Sequence, residues 1–377
     1  MHGGMDFAAA GLLDDLEGPE REARRALLRR LLDEGATLAE LRQAIDEDRL
    51  ALLPVERLLG GRHTAQEIAE QTGVPVALML RFRRLLGLPQ ASDQDRVFSD
   101  EDLAAARSLA LFVDAGIDVE DLAELTRVTG EGMSRLAAAI TAVFARTFLR
   151  PGDSEADVAE RFAGLAEQLA PALAPVLTGA FNAHLRESVH RGMIGRAERA
   201  SGQIVETPEL GVCFADLVGF TRLGGELEVQ ELGAVAGRLA GLAAERAQPP
   251  VRLVKTIGDA VMLASPDPAA LVSAALGLVE DAEAAELPSL RAGIALGPAV
   301  QRAGDLFGHT VNLASRVTGV ARPGSVLCTQ AVREAAAGDR AGQPDPEALD
   351  FSYAGRFRLK GIADPVPLHR ARRTATW

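Results

Sequence analysis

The spacing of apolar residues changes near residue 200 of this 377-residue chain, and one fold cannot absorb both patterns. From residue 6 to about 200, apolar side chains recur three and four apart: "REARRALLRRLLDEG" stops at Gly35 and "LAELRQAIDEDRLALLP" ends at Pro54. The first half therefore reads as helices. Beyond it come "LGVCFADL", "RLVKTI", "DAVMLAS", "LRAGIALG", "SVLCT", "FSYAGRFRL" and "PVPLHR", strand-like runs interleaved with Ala- and Leu-rich helical stretches at about 226–247, 267–285 and 309–320. Strands alternating with helices predict an α/β or α+β domain on one sheet. The polar segment "SGQIVETPE" has the character of a linker. The expected organisation is a helical domain over 1–196, a linker or switch segment over 197–207 and a second domain over 208–377, a length that lets each half bury its own core.

Composition narrows the function. A net charge of −13 argues against broad, charge-driven attraction to nucleic acid or anionic lipid. The N-terminus lacks a basic segment followed by a long apolar core, and "LAPALAPVLTGAFNA", the most membrane-like stretch, holds two prolines in 15 residues where a span needs about 20 apolar ones. Cys213 and Cys328 both sit inside apolar runs, which suits structural thiols in a reducing, cytoplasmic protein. No membrane span and no stable nucleic-acid partner are expected.

One stretch of the first half competes with that reading. "TAQEIAEQTGVPVALMLRFRRLLGLP" followed by "FSDEDLAAARSLALFVDAGID" resembles the helix-turn-helix of MerR-type regulators. A DNA-reading helix must offer polar side chains to base edges, whereas this one presents Val76, Leu78, Met79, Leu80, Phe82 and Leu85, with Arg81, Arg83 and Arg84 as its basic residues. Arginines of this kind touch phosphate and specify little sequence, so a packing role is the plainer reading. The alternative for the whole chain is a MerR-like DNA-binding regulator whose second domain only senses nucleotide.

Four stretches of the second half carry chemistry: "FADLVGFT" at 214–221, "KTIGDA" at 255–260, "GDLFGHTVNLASR" at 304–316 and "FRLKG" at 357–361. Asp216 and Asp259 each adjoin a strand-like run, where a chain places hard-oxygen ligands for Mg²⁺ or Mn²⁺. The glycine before Phe220 lets backbone amides approach phosphate at a helix start. Asn312 and Arg316, four apart, project from one face, an amide to orient a sugar and a guanidinium to meet charge on phosphorus. Each residue alone also has a structural reading, as a helix cap, a turn residue or a solvated face. Among 40 basic residues the only lysines are Lys255 and Lys360, and both fall inside these stretches.

Together the four stretches resemble the catalytic domain of class III nucleotidyl cyclases over roughly residues 208–370. The resemblance implies a ferredoxin-like βαββαβ core with extra strands, hence an α+β fold after an all-helical N-terminal domain, working as a head-to-tail homodimer. It implies conversion of a nucleoside triphosphate to its 3′,5′-cyclic monophosphate and pyrophosphate. Carried over by position, Asp216 and Asp259 match the aspartates that hold two Mg²⁺ or Mn²⁺ per site. Lys255 and Asp305 match the base-reading pair, Asn312 the ribose-orienting residue and Arg316 the transition-state arginine, while Phe220, Thr221 and Lys360 match phosphate-binding positions. A donor and an acceptor at Lys255 and Asp305 suit adenine and disfavour guanine, so ATP is the expected substrate. A point-charge ammonium suits such a pocket better than a wide guanidinium fork.

The overall layout resembles a bacterial subgroup of that family in which the helical domain restrains the cyclase and activity rises at acidic pH. His184 and His190, in the last helix before the linker, are the candidate pH-responsive residues, with Glu187 favouring protonation and Arg186 opposing it at His190. A bundle of Leu- and Ala-rich helices also offers space for an apolar or lipid ligand, against the simpler reading of a packing core.

Overall fold

The computed structural model describes residues 6–14, 16–191, 209–223, 225, 229–302, 304–338 and 349–374. The chain divides into two compact units, Met1–Met193 and Ile194–Trp377. The expected linker, 197–207, lies outside the described residues.

The first unit is helical: α1 (Gly18–Asp33), α2 (Leu38–Asp46), α3 (Leu53–Leu58), α4 (Ala65–Thr72), α5 (Val76–Leu85), α6 (Asp100–Asp114), α7 (Val119–Phe148) and α8 (Glu155–Arg191). Thr37, Thr64 and Ser99 start α2, α4 and α6 with reciprocal capping boxes, which satisfy amide donors that a helix start leaves open. Leu27, Leu28 and Leu31 of α1 pack with Leu41, Ala44, Leu50, Leu53 and Ala159, the last from α8. A two-pronged ion pair from Arg24 to Glu155, at 2.6 and 2.5 Å, ties α1 to the start of α8.

The helix-turn-helix expected from sequence is present as α4 and α5, with Gly73 in the left-handed conformation that the turn requires. Two of its three arginines are engaged within the unit, and Arg84 is exposed. Arg81 grips Glu120 of α7 with two hydrogen bonds, and Arg83 donates to the Pro89 and Val97 carbonyls while lying over the Phe98 ring. That favours the packing role over the DNA-reading one. The apolar pocket beside α5, lined by residues including Met79, Phe82, Leu86 and Phe98, encloses about 100 Å³. Ligand sites begin near 300 Å³, so this pocket does not support the lipid expectation. No helix among the described residues is long and apolar enough to cross a membrane.

The second unit is built on a seven-stranded sheet of order β2-β3-β1-β4-β7-β9-β8. The strands are β1 (Glu209–Leu217), β2 (Arg252–Ile257), β3 (Ala260–Ser265), β4 (Leu290–Pro298), β7 (Val326–Thr329), β8 (Leu349–Phe357) and β9 (Val366–Arg373), with a separate β5–β6 hairpin at Val300–Arg302 and Asp305–Phe307. Helices α9 (Phe220–Leu223) and α10 (Val229–Arg246) follow β1, α11 (Pro268–Ala284) links β3 to β4, and α12 (His309–Val320) and α13 (Gln330–Gly338) flank β7. The run β1-α10-β2-β3-α11-β4 with sheet order β2-β3-β1-β4 is the ferredoxin-like core expected from sequence, extended by three strands. Two cores lie on opposite faces of the sheet. Cys213, Ala215 and Leu263 pack with Leu239 of α10 and Leu271 and Leu278 of α11; Val212, Met262 and Ala295 pack with Leu306 and Ala314 of α12. Burial pushes the Cys328 thiol up to about 12 and raises Cys213 as well, so both are structural and chemically quiet.

His369 of β9 is buried in register between Cys328 and Tyr353, and burial, helped by Arg333, holds its pKa below the ordinary 6.5. Its neutral form is the one folding selects, so stability is full above pH 6.5 and falls as acid protonates the ring. The thermal midpoint of the second unit is expected to drop between pH 7.5 and 5.5 by an increment that His369→Phe removes, read by calorimetry at both pH values, each roughly a unit from the ordinary histidine value.

Candidate active site

Asp216 lies one residue from the end of β1, opposite Ala260 on one neighbouring strand and Arg291 on the other. Asp259 sits in the β2–β3 turn after Gly258, whose φ of +59° favours glycine, and its carbonyl accepts from the Leu217 amide at 3.2 Å. That bond ties the hairpin tip to the end of β1, which brings the two aspartates together. Burial raises the pKa of Asp259, and the neighbouring Asp216 carboxylate adds to the rise. Arg291 stands against the pair. It donates to Asp216 Oδ2 from Nη2 at 2.8 Å and from Nε at 3.3 Å, and from Nη1 to the Gly319 carbonyl of α12 at 3.3 Å. Sequence reasoning passed over Arg291; its one signal was a lone charge inside the apolar run "LRAGIALG".

No group of three or more His, Cys, Asp and Glu side chains suited to a metal occurs among the described residues. Two carboxylates without a third protein ligand fit a hard divalent cation that shares its remaining positions with phosphate and water. Proton and metal compete for the same oxygens. Because Asp259 holds its proton to a higher pH than an ordinary carboxylate, a divalent cation such as Mn²⁺ held there would bind more weakly as pH falls, beginning above the usual carboxylate range. Metal titrations of activity across pH 5 to 8 check this, a range bracketing roughly neutral pH.

Lys255 reaches its place through a break in the β2–β3 ladder. Leu253 pairs with Leu263 and Lys255 with Met262, so Val254 is the extra residue of a β-bulge. In a regular strand Lys255 would share the face of Leu253, which packs on the α10–α11 core. The bulge aligns it instead with Met262, on the α12 face. There its ammonium donates to Asp305 Oδ2, while Asp305 Oδ1 accepts from the Leu306 amide at 2.8 Å. Leu306, 3% exposed, anchors that strand in the core. Lys255 and Asp305, expected from sequence to act together, thus meet within one chain.

Asn312 and Arg316 lie on the exposed side of α12, with Thr310, Ala314, Val317 and Thr318 on its buried side. Among the described residues, no hydrogen bond or ion pair joins either one to Asp216, Asp259, Lys255 or Asp305. Phe220 packs against the α10–α11 core, which leaves its backbone amide as the group for a phosphate; Thr221 lies in α9 with its side chain outside the described part. Lys360 is exposed in the turn after β8, beside buried Leu359. His309, at the start of α12, is exposed, as is His184 in α8; the side chain of His190 lies outside the described part.

A ferredoxin-like core with one aspartate near the end of β1, a second at the tip of the β2–β3 hairpin, and a lysine–aspartate pair beside an Asn/Arg-bearing helix is the arrangement of a class III nucleotidyl cyclase domain. Residues 203–369 match the adenylate and guanylate cyclase catalytic domain, and residues 5–189 match the adenylate cyclase regulatory domain. A pH-sensitive adenylate cyclase of Mycobacterium tuberculosis is 42% identical over 97% of this chain and 92% of its own length. An adenylate cyclase of Streptomyces coelicolor is 34% identical over 85% of this chain and 84% of its own. The crystal structure of the adenylyl cyclase CyaB from P. aeruginosa aligns with 44% of this chain and 95% of its own, at 21% identity and a TM-score of 0.38. The chain belongs to the class III adenylate cyclases that carry an N-terminal regulatory domain.

Proposed function

We propose that the protein converts ATP to 3′,5′-cyclic AMP and pyrophosphate at two equivalent sites of a homodimer, each completed by residues of both subunits. The separation of functional groups within one chain carries this reading: the aspartates are gathered with Arg291, while Asn312 and Arg316 face solvent and bond to neither. A second copy brings the two halves together. Ile257, Val300 and Phe307, about half exposed on β2, β5 and β6, give the region of the Lys255–Asp305 pair an apolar surface to bury against that copy.

In this reading Lys255 donates to N1 of adenine and Asp305 accepts from its amino group, so guanine leaves both unpaired. Asn312 holds the ribose so that its 3′-oxygen lines up with the α-phosphorus. As the 3′-hydroxyl gives up its proton to water, the new P–O bond forms and the bond to pyrophosphate breaks, the Arg316 guanidinium meets the charge that grows on the phosphoryl oxygens. Lys360 and the backbone at Phe220 and Thr221 hold the polyphosphate. Two Mg²⁺ or Mn²⁺ held by Asp216 and Asp259, when bound, supply Lewis-acid stabilisation of the attacking and leaving oxygens.

The pair at Lys255 makes a sharp test of substrate choice. Lys255→Glu is expected to lower kcat/KM for ATP by about 10²- to 10⁴-fold and to narrow the preference over GTP, since an acceptor then meets N1 of adenine, itself an acceptor, with no proton between them. An unchanged ATP:GTP ratio would remove Lys255 from the base pocket.

Regulation falls to residues 1–196 acting through 197–207 on the catalytic domain 208–377, in a cytoplasmic enzyme whose buried thiols stay reduced. The pH sensitivity of the M. tuberculosis relative supports a pH-responsive regulatory domain here. His184, exposed in α8, and His190 are the residues proposed to sense it. Replacing both by Gln is expected to flatten the pH profile of cyclic AMP formation by the full chain; an unchanged profile would clear them of that role.

A further inference from the structure

Helix α12 carries both Asn312 and Arg316, so its rotation about its own axis decides where the amide and the guanidinium point. Its buried side offers two directional fastenings to the sheet. Thr310, 3% exposed, donates from Oγ1 to the Pro298 carbonyl at the end of β4, at 2.7 Å. Thr318, 4% exposed, sets its hydroxyl 2.9 Å from the Ala314 carbonyl of its own helix and 3.2 Å from the Phe214 carbonyl of β1. One proton is shared between those two acceptors, as in the three-centre bonds common near helix ends.

The helix lies against glycine at both fastenings. A Cβ on Gly293 would come within 2.1 Å of the Thr318 amide nitrogen, and one on Gly297 within 2.8 Å of Thr310 Oγ1. The apolar contacts of Ala314 and Val317 hold the helix down but are non-directional, so they tolerate a small rotation. Hydrogen bonds lose strength steeply with angle and do not.

We propose that Thr310 and Thr318 are positioning residues for the cyclase reaction, their two hydroxyls fixing the rotation of α12 that aims Asn312 and Arg316 at the nucleotide. The inference rests on the reaction proposed above. Neither hydroxyl touches substrate; both act through Arg316 and Asn312. A misplacement of about 1 Å at such a group costs on the order of a hundredfold in rate.

The test uses the full chain with Thr310→Val and Thr318→Val, near-isosteric changes that delete the hydroxyl, and Thr310→Ser and Thr318→Ser, which keep it. Steady-state kinetics are measured well below each thermal midpoint, beside Val332→Ala as a control that hollows the core under α13 without touching α12. The expected result is a fall in kcat of about 10- to 100-fold for each valine variant with KM for ATP little changed, restored by each serine. Val332→Ala lowers the thermal midpoint and leaves kcat alone. Valine variants that lose stability like the control while keeping kcat would overturn the proposal, because the threonines would then only hold the fold. If a valine variant does not fold, Thr310→Ala or Thr318→Ala removes the same hydroxyl without adding a methyl and is read the same way. A wild-type chain that makes no cyclic AMP would sink the reaction itself, and the positioning role with it.

Discussion

Asp259→Ala is expected to lower cyclic AMP formation by at least about a thousandfold, with the thermal midpoint held or raised. The activity loss follows from the metal proposed at Asp216 and Asp259, whose stabilisation of charge at phosphorus would be worth several kcal/mol, each 1.4 kcal/mol being about a factor of ten in rate. Retained stability follows from the geometry. Asp259 is a partly buried carboxyl held against a second carboxylate, an arrangement that burial and like charge both make unfavourable. Removing it relieves that repulsion, and its backbone bond to the Leu217 amide survives any side-chain change. Activity assays with Mn²⁺ and a thermal melt on one preparation separate the two effects. A variant that lost activity because it had unfolded would contradict the account of this hairpin.

Gly293→Val is expected to have the opposite profile: the catalytic unit fails to fold. A Cβ at this position would sit 2.1 Å from the Thr318 amide nitrogen and 2.7 Å from its Cα, and both are backbone atoms that no rotamer change can move. Strand β4 and helix α12 would have to separate. Overpacking a core costs about 1–3 kcal/mol when side chains can give way, and more when backbones must part. Gly293→Ala adds that same Cβ, meets the same backbone atoms and is expected to destabilise the unit severely as well. Circular dichroism melts and soluble yield check both substitutions.

The architecture was legible where a period carried it. Apolar spacing of three and four gave the helices of the first half, except that the run expected to end at Pro54 breaks after Asp46 and Pro54 lies in the first turn of α3; the short runs after residue 200 gave the strands, including "LGVCFADL" as β1 and "LRAGIALG" as β4. The cap that Ser99 supplies to α6 was not read from the sequence and came only with the structure. The site was legible in a different way. Lys255 and Asp305 stand 50 residues apart, and no spacing rule joins them, so their pairing came only through resemblance to a family. The bulge at Val254 was invisible because "RLVKTI" reads as an ordinary strand, and strict alternation would have turned Lys255 toward the wrong core. Arg291 was lost for the converse reason: inside a strand run a single charge reads as the solvent-facing member of an alternation. Its role as partner of Asp216 depends on which strand lies next to β1, a fact of topology rather than of local sequence.

The central claim is that each active site is completed across a dimer of identical chains, and mixing two dead variants tests it most directly. Asp259→Ala lacks the metal half and Arg316→Ala the transition-state half, so each alone is inactive or nearly so. After the two are unfolded and refolded together in equal amounts, about half of the dimers are mixed and each mixed dimer holds one intact site of two, so the account predicts cyclic AMP formation at about a quarter of the wild-type rate. A mixture that stays as inactive as its components, while refolded wild type recovers, would place all the catalytic groups of a site on one chain and contradict it.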